Sequence, residues 1–469
     1  MRDLRVWLSR AASYMRRFRS LRRNAILYLI SNTIQSMTAG ALGVVYTLFL
    51  SSLGYGDAFI GLTLFVGAVG GGAGILPASV LTRRYGWRTM LLWSDLIGGV
   101  AIAIQLLFPT PVITLLTTLG VGASVAIFLV LNAPFLAAQS APHERAALFG
   151  LNNGLGFLAA VVGALLGGAL PVWLAAPVLD HSGLLLALRP WLLVHTQARL
   201  YQEALLVMGA LAVPSIIPVV FLRDTPAQPA AETSLAVASA APTSQGVKEL
   251  QLPEEAAKLK KRWPDLPDRA RLRKWLGDAR TLATGVIGRF SLSQLLVGFG
   301  AGLFFPYLNL YFVNQVGISV AAFGALSAGL TVLQAPVSLL SAPLADRYGK
   351  VRASLLAQVA SLPFLLTLGL APIALIASAA YLIRGALMTI TSAPLQAYLM
   401  EVVPTEQRIV ASNVYNVSWQ VAWAIGAGLG GVLIALGGYA APVIVAAVCY
   451  ALSAALLARW FLRRAAPIG

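Results

Sequence analysis

The sequence predicts an all-α integral membrane protein with twelve transmembrane helices in two six-helix, pseudo-symmetric halves. Three observations lead there. Of 469 residues, 58% are hydrophobic and 11% charged, with a mean hydropathy of +0.79. A soluble domain carries about 25% charged residues, so soluble, disordered and disulfide-stapled classes are excluded. The apolar residues run in continuous stretches of about twenty, the length of a membrane helix, rather than alternating as barrel strands do. The chain also repeats itself at one fixed offset, which divides it in two.

The elements follow in order. Residues 1–23 carry Arg2, Arg5, Arg10, Arg16, Arg17, Arg19, Arg22 and Arg23, with Leu4, Leu8, Ala11, Met15, Phe18 and Leu21 between them at helical spacing. This is a basic amphipathic segment suited to an anionic inner leaflet. A cleaved signal peptide fits less well, because the basic region is long and no A-x-A site follows it. Spans are expected at roughly 25–50, 58–81, 88–108, 112–138, 147–172 and 202–222, the N-terminal half (24–222). The C-terminal half (284–469) holds spans at roughly 284–312, 319–344, 351–370, 373–400, 409–435 and 440–462. A polar linker, 223–283, joins them: Thr225 to Thr243 is Ala/Pro/Ser-rich and reads as disordered, and Glu254 to Arg280 reads as surface helix of mixed charge.

Loop charge sets the orientation. Arg145, Arg223, Arg463 and Arg464 join the arginines of the loop motifs described below on one side, whereas the opposite loops hold Arg189 and Arg199. Both termini are therefore expected in the cytoplasm, in a multi-pass protein of the cytoplasmic membrane. The net charge of +17 belongs to these loops, and no nucleic-acid partner is expected. Cys449 reads as a small buried hydrophobe, and one cysteine with three scattered histidines supports no metal site and no cofactor.

The repeat is seen in three places. RRYGWR, with Gly86, matches DRYGKVR, with Gly349; HERAALFGLNN matches EQRIVASNVYN; GALLGG from Gly163 matches GAGLGG from Gly426. Every pair is separated by 263 residues. Two halves around a linker describe a rocking transporter with its site between them. The same offset places the sixth span near Pro177, yet it begins near Arg199. An external insertion at about 177–200, with His181 and His195, therefore reads as a short interfacial helix with incidental histidines.

These loops resemble those of the major facilitator superfamily, whose signature after spans two and eight is G-x-x-x-D-[RK]-x-G-[RK]-x-[RK]. The second copy, Ala342 to Arg352, keeps the aspartate, Asp346, with Arg347, Gly349 and Arg352. The first copy departs from it: Ser79 replaces the first glycine and Arg83 the aspartate, with Arg84, Gly86 and Arg88 following. The resemblance covers nearly the whole chain and is closest in pattern to bacterial drug/proton-antiporter-like members. It implies that Asp346 lies near the start of span eleven, where a helix dipole favours a carboxylate, and that the motif holds the cytoplasmic side shut. The glycine string on span five is similar to the G-P-x-x-G-G of antiporters, with Ala164 for the proline; its recurrence on span eleven favours close packing of small residues.

Charges inside a bilayer are costly and point to function. Arg384, in mid-span ten, reads as a functional residue of the substrate cavity that needs an anionic partner, from protein or substrate. Asp95 in span three is a proton-coupling candidate. Glu401 is either a second one or part of a cytoplasmic gate with Arg408, and the gate is favoured. Asp57 reads as a helix N-cap, and Glu203 as solvated. Amides and aromatics expected in the cavity are Asn32, Gln35, Asn132, Asn153, Gln294, Asn416, Trp419, Gln420 and Trp423.

A cavity of this composition suits an amphipathic, neutral or weakly charged solute. The leading expectation is a monomeric secondary transporter in the lipid bilayer, exchanging a small-molecule substrate for protons in the direction of efflux. Alternatives are metabolite or sugar uptake, a lipid-translocating flippase, and a non-transporting membrane receptor. An enzyme is not expected, since the sequence holds no P-loop, HExxH or GxSxG.

Overall fold

The computed structural model describes residues 22–140, 144–175, 196–223, 285–404 and 407–462. The N-terminal basic segment up to residue 21, most of the insertion with its histidines, and residues 224–284 of the linker lie outside these residues. Twelve helices among the described residues are long and apolar enough to cross a membrane. The first six are α1 (Arg23–Ser52), α2 (Asp57–Ile75), α3 (Arg84–Leu107), α4 (Pro111–Ala138), α5 (Arg145–Leu174) and α6 (Gln197–Val220). The second six are α7 (Val286–Gln315), α8 (Val320–Tyr348), α9 (Lys350–Leu370), α10 (Ala374–Val402), α11 (Arg408–Gly437) and α12 (Ala440–Leu462). Exposed leucines such as Leu339, Leu375 and Leu436 stud their outer surfaces, as a hydrocarbon solvent allows.

The repeat is visible in the backbone. Helix continues from α2 to α3 and is broken at Gly86 (φ 81°, ψ 168°); Gly349 (φ 86°, ψ 142°) does the same between α8 and α9. A side chain is strained at such φ values, so glycine is what the turn requires. Gly54 and Gly317, again 263 residues apart, have φ of 84° and 80° in the turns before α2 and α8. The packing repeats too: α1 lies against α5 and α6 as α7 lies against α11 and α12.

The halves meet through two matching helix pairs, α2 with α11 and α5 with α8. We call the end where α1 begins the near end, and the opposite one the far end. Both pairs touch at the far end, glycine to backbone. A Cβ on Gly168 would stand 2.8 Å from the Val320 carbonyl, and one on Gly431 would strike the Asp57 carbonyl. Gly61 and Gly324 complete the two contacts against the backbones of Ala427 and Gly428, and of Ala164 and Gly168. The glycine strings of α5 and α11 thus serve as a backbone-to-backbone seam, and Gly163 and Gly426 pack on the carbonyls of Met37 and Phe299 within their own halves.

Three side chains depart from the sequence expectation, and the first is Cys449, which is half-buried on α12 rather than buried. Asp57 is the first helical residue of α2 rather than its cap; Gly56 holds the cap position without a side-chain bond. Glu203 is buried, not solvated: one helical turn away, the Arg199 Nε donates to its Oε1 at 2.7 Å, which meets the demand of a carboxylate drawn in among apolar neighbours.

Candidate functional site

The far seam is continued inward by a break in α7. Pro306 cannot supply a backbone donor, and the helix tightens at Phe305–Tyr307 before resuming. Asn309 repairs the break and ties the halves together. Its Oδ1 accepts from the Leu310 backbone at 2.9 Å and from Thr47 Oγ1 at 2.6 Å, and its Nδ2 donates to the Val44 carbonyl at 2.9 Å.

Behind this lock lies an inner chamber of about 510 Å³, walled by both halves. Leu42, Leu64, Ile102 and Val121 face Phe305, Leu308, Phe323 and Trp423 across it. Its polar groups are largely engaged with one another. Gln105 donates to Tyr46 Oη at 2.6 Å and to Thr118 Oγ1 at 3.3 Å, and Thr47 is held by Asn309. The chamber therefore presents a largely apolar interior.

Phe305 and Trp423 are shared with a second, outer chamber of about 710 Å³. It lies in the C-terminal half, between α7, α10, α11 and α12, and extends toward the near end along Thr391, Leu395, Gln396 and Leu457. All six cavity candidates named in this half line it: Gln294, Arg384, Asn416, Trp419, Gln420 and Trp423. Gln294 donates to the Tyr415 hydroxyl, Asn416 to the Ser412 carbonyl at 2.9 Å, and the two indoles stack with centroids 6.5 Å apart. Arg384 is 2% exposed and has its guanidinium over the ring of Phe305 at 4.4 Å and of Tyr450 at 5.0 Å.

The N-terminal candidates are placed differently. Asn32, Gln35, Asn132 and Asn153 line neither chamber. Asn32 is buried and donates to Asn152 Oδ1 at 2.8 Å, while the neighbouring Asn153 is exposed on another face of α5. The partner of Asn32 is thus the asparagine next to the one the sequence singled out. Tyr28 donates to Asn132 at 3.0 Å. Gln35 donates to Asp95 Oδ1 at 2.7 Å, and Asp95 Oδ2 is buried without a hydrogen-bond partner. Asp95 therefore stands inside the N-terminal bundle, between α1 and α3, rather than in the cavity wall.

The loop motif sits at the near end. Arg84 lies over Tyr85 and Arg347 over Tyr348, both at 5.4 Å, a further match between the halves. Asp346, Arg347 and Arg352 are exposed, and Asp346 has no ion pair among the described residues. Ser79 is half-buried in the helical run from α2 to α3; Arg88 is half-buried, with its Nε lacking a hydrogen-bond partner. The side chain of Arg83 lies outside the described residues. The expected pairing of Glu401 with Arg408 is not formed. Glu401 pairs with Lys350 across the α8–α9 turn, and the Arg408 Nε donates to the Val403 carbonyl at 3.4 Å. Lys350 follows the Gly349 turn directly, and that turn delivers its ammonium to the end of α10.

Sequence reasoning missed Asn309, Tyr46, Gln105 and Thr118. The signal for the first was available: Pro306 interrupting an apolar span, with an amide three residues on, marks an irregular helix at a cavity.

Two six-helix halves, sealed at one end around a central cavity, define a membrane transporter. The family model for the Major Facilitator Superfamily matches residues 28–286 and 290–469, and the chain belongs to that superfamily. Comparison with curated proteins returned no match. Among solved structures the chain is similar to a bacterial homolog of the human lysosomal transporter Spinster in an inward-facing, unoccupied conformation, at 15% identity over 95% of this chain and 98% of that one, with a TM-score of 0.66. It is similar to the nucleoside transporter NupG at 12% identity over 94% and 98%, with a TM-score of 0.66. It is also similar to the transporter FucP in the outward conformation, at 14% identity over 93% and 99%, with a TM-score of 0.51.

Proposed function

We propose that this protein is a proton-coupled transporter that exports a small amphipathic organic compound across the cytoplasmic membrane, acting as a monomer. The observation that carries this reading is the two-part cavity, apolar where both halves meet and polar along the C-terminal wall. The loop arginines support both termini in the cytoplasm, and in that orientation the sealed far end faces outside and the outer chamber faces inward. This is the state from which an exporter loads.

Export suits the chamber. An apolar body partitions into the bilayer unaided and needs no importer, whereas a sugar needs hydrogen bonds all around its ring. The inner chamber's polar groups are mostly engaged with each other and have few bonds to offer. Asp95 takes the proton: a carboxylate with one oxygen bonded to Gln35 and one left free is poised to gain and lose it. Asp346, Arg347 and Arg352 close the near end in the alternate state.

The test is proton movement in vesicles that hold the purified chain and an imposed pH gradient, with amphipathic compounds of either charge added singly. A compound that dissipates the gradient with the wild-type chain and fails with Asp95→Asn is the expected result. Dissipation that survives Asp95→Asn removes Asp95 from coupling, and no dissipation by any compound overturns proton-driven transport.

A further inference from the structure

We propose that Arg384 is an anion-binding group and that the compound taken by this cavity is an organic anion: a carboxylate, sulfonate or phosphate head on an apolar body. The inference rests on reading the cavity as the transport site, and names the chemistry of its substrate.

Arg384 is 2% exposed, in the middle of α10. Its guanidinium carbon lies over the rings of Phe305 and Tyr450, which offer π-faces and no conventional hydrogen-bond acceptor. Nε and Nη2 are both buried and have no hydrogen-bond partner. Those two nitrogens share one edge of the guanidinium, the edge that receives both oxygens of a carboxylate side-on. A buried, permanently charged group with one whole edge unsatisfied is costly unless something anionic meets it. Among the described residues no carboxylate does: no ion pair involves Arg384, and neither chamber has an acidic residue in its lining. Among the described residues Arg384 is the single charged side chain of both linings. The cavity is thus positive, and it disfavours the amphipathic cations that its aromatic walls would otherwise attract.

The geometry also says how the body lies. Phe305 touches the guanidinium and lines both chambers, as Trp423 does. A head at Arg384 therefore sits in the outer chamber beside the amides of Gln294, Asn416 and Gln420. The body passes between Phe305 and Trp423 into the inner chamber, against Leu42, Ile102 and Phe323.

The test uses three probes that differ only in the head: 4-phenylbutyrate, 4-phenylbutanol and 4-phenylbutylamine. Each is titrated against the intrinsic tryptophan fluorescence of the full chain in phosphatidylcholine nanodiscs, where Trp419 and Trp423 report from the cavity wall. The acid is expected to bind the wild-type chain at least tenfold tighter than the alcohol, and the amine more weakly than either. In Arg384→Gln the acid falls to the level of the alcohol, the alcohol stays within about twofold, and Arg384→Lys recovers part of the difference. An acid that binds the wild-type chain no tighter than the alcohol, including no binding of either, overturns the proposal without any variant having to fold. So does an acid affinity that Arg384→Gln leaves unchanged.

Repeating the titration with phosphatidylglycerol in the nanodisc separates the two sources of such a head. Acid binding weakened tenfold or more, with the effect absent in Arg384→Gln, assigns the site to a lipid headgroup. Unchanged binding assigns it to a soluble organic acid. The outcome is also distinct from that of the transport reading: if the alcohol dissipates the proton gradient as well as the acid does, the transporter stands and the anion site falls.

Discussion

In the N-terminal half three of the polar side chains that the sequence singles out reach partners inside their own bundle. Asn32 meets Asn152, Tyr28 meets Asn132, and Gln35 meets Asp95. In the C-terminal half the equivalent depth holds Gln294, Asn416, Gln420 and the unpartnered edge of Arg384, all along one cavity wall. Two copies of one fold, matched down to the φ of their turn glycines, have thus diverged in chemistry. The backbone has to stay symmetric, because the far seam is made of equivalent residues on both sides and a rocking motion uses both seams at once. The side chains facing the cavity are under no such constraint. We read the C-terminal half as the wall that recognises and the N-terminal half as the body that holds the carboxylate proposed for coupling.

The strongest way to break this comparison is to attack the symmetric part. Gly431→Leu places a branched side chain on the Asp57 carbonyl, where a single Cβ already collides. Overpacking of this kind costs about 1–3 kcal/mol. The expected result is a loss of transport of more than about tenfold, since about 1.4 kcal/mol shifts a conformational equilibrium tenfold. Spin labels across the far end should report wider distances, and Gly168→Leu should behave alike. A variant at either seam with wild-type transport and distances would show that the seam does not work as a pair.

Next in size is Asp95, the carboxylate proposed to carry the proton. Asp95→Asn keeps a hydrogen bond to Gln35 and cannot exchange a proton. It should abolish proton-driven uptake into inverted vesicles, by tenfold or more, and leave substrate counterflow within about twofold. Loss of both together would make Asp95 a structural residue of the N-terminal bundle.

The near end offers a smaller asymmetry. Only the second loop motif keeps its aspartate, so Asp346→Asn should slow transport several-fold, and Arg83→Asn much less, when initial rates are compared in vesicles. Equal rates for Asp346→Asn and wild type would remove the latch from the C-terminal half as well.

How far the sequence reached follows the same division. The spans and the 263-residue repeat were legible because hydrocarbon thickness leaves few alternatives for an apolar run of this length, and one fixed offset holds along the chain. The C-terminal cavity wall was legible because amides and indoles on adjacent turns of α11, an amide on α7 and an arginine on α10 have no reason to face lipid. The N-terminal candidates read the same way, and Asn32, Gln35 and Asn132 faced their own bundle. A polar side chain in a span says that it avoids lipid, and does not say whether its partner is another helix or the substrate. Asn153 shows the limit most sharply, since its neighbour Asn152 took the buried place and one residue along a helix turns a side chain by about 100°. The partner of Glu401 was missed for another reason. Lys350 approaches it from 51 residues away, through a turn whose direction only the fold defines.

That pair supplies the smallest expected effect. Lys350 is 30% exposed and Glu401 57%, so water screens them, and an exposed ion pair contributes roughly 0.2–1 kcal/mol. Glu401→Gln should lower the melting temperature by no more than a few degrees. The buried pair is the contrast: Asn32→Ala strands the Asn152 carbonyl inside the N-terminal bundle, and should cost about 1–3 kcal/mol. Asn416→Ala, on the open wall, should leave the melt unchanged and raise the KM for substrate. If the Asn32 and Asn416 variants exchanged these phenotypes, recognition would belong to the N-terminal half and the division drawn between the halves would reverse.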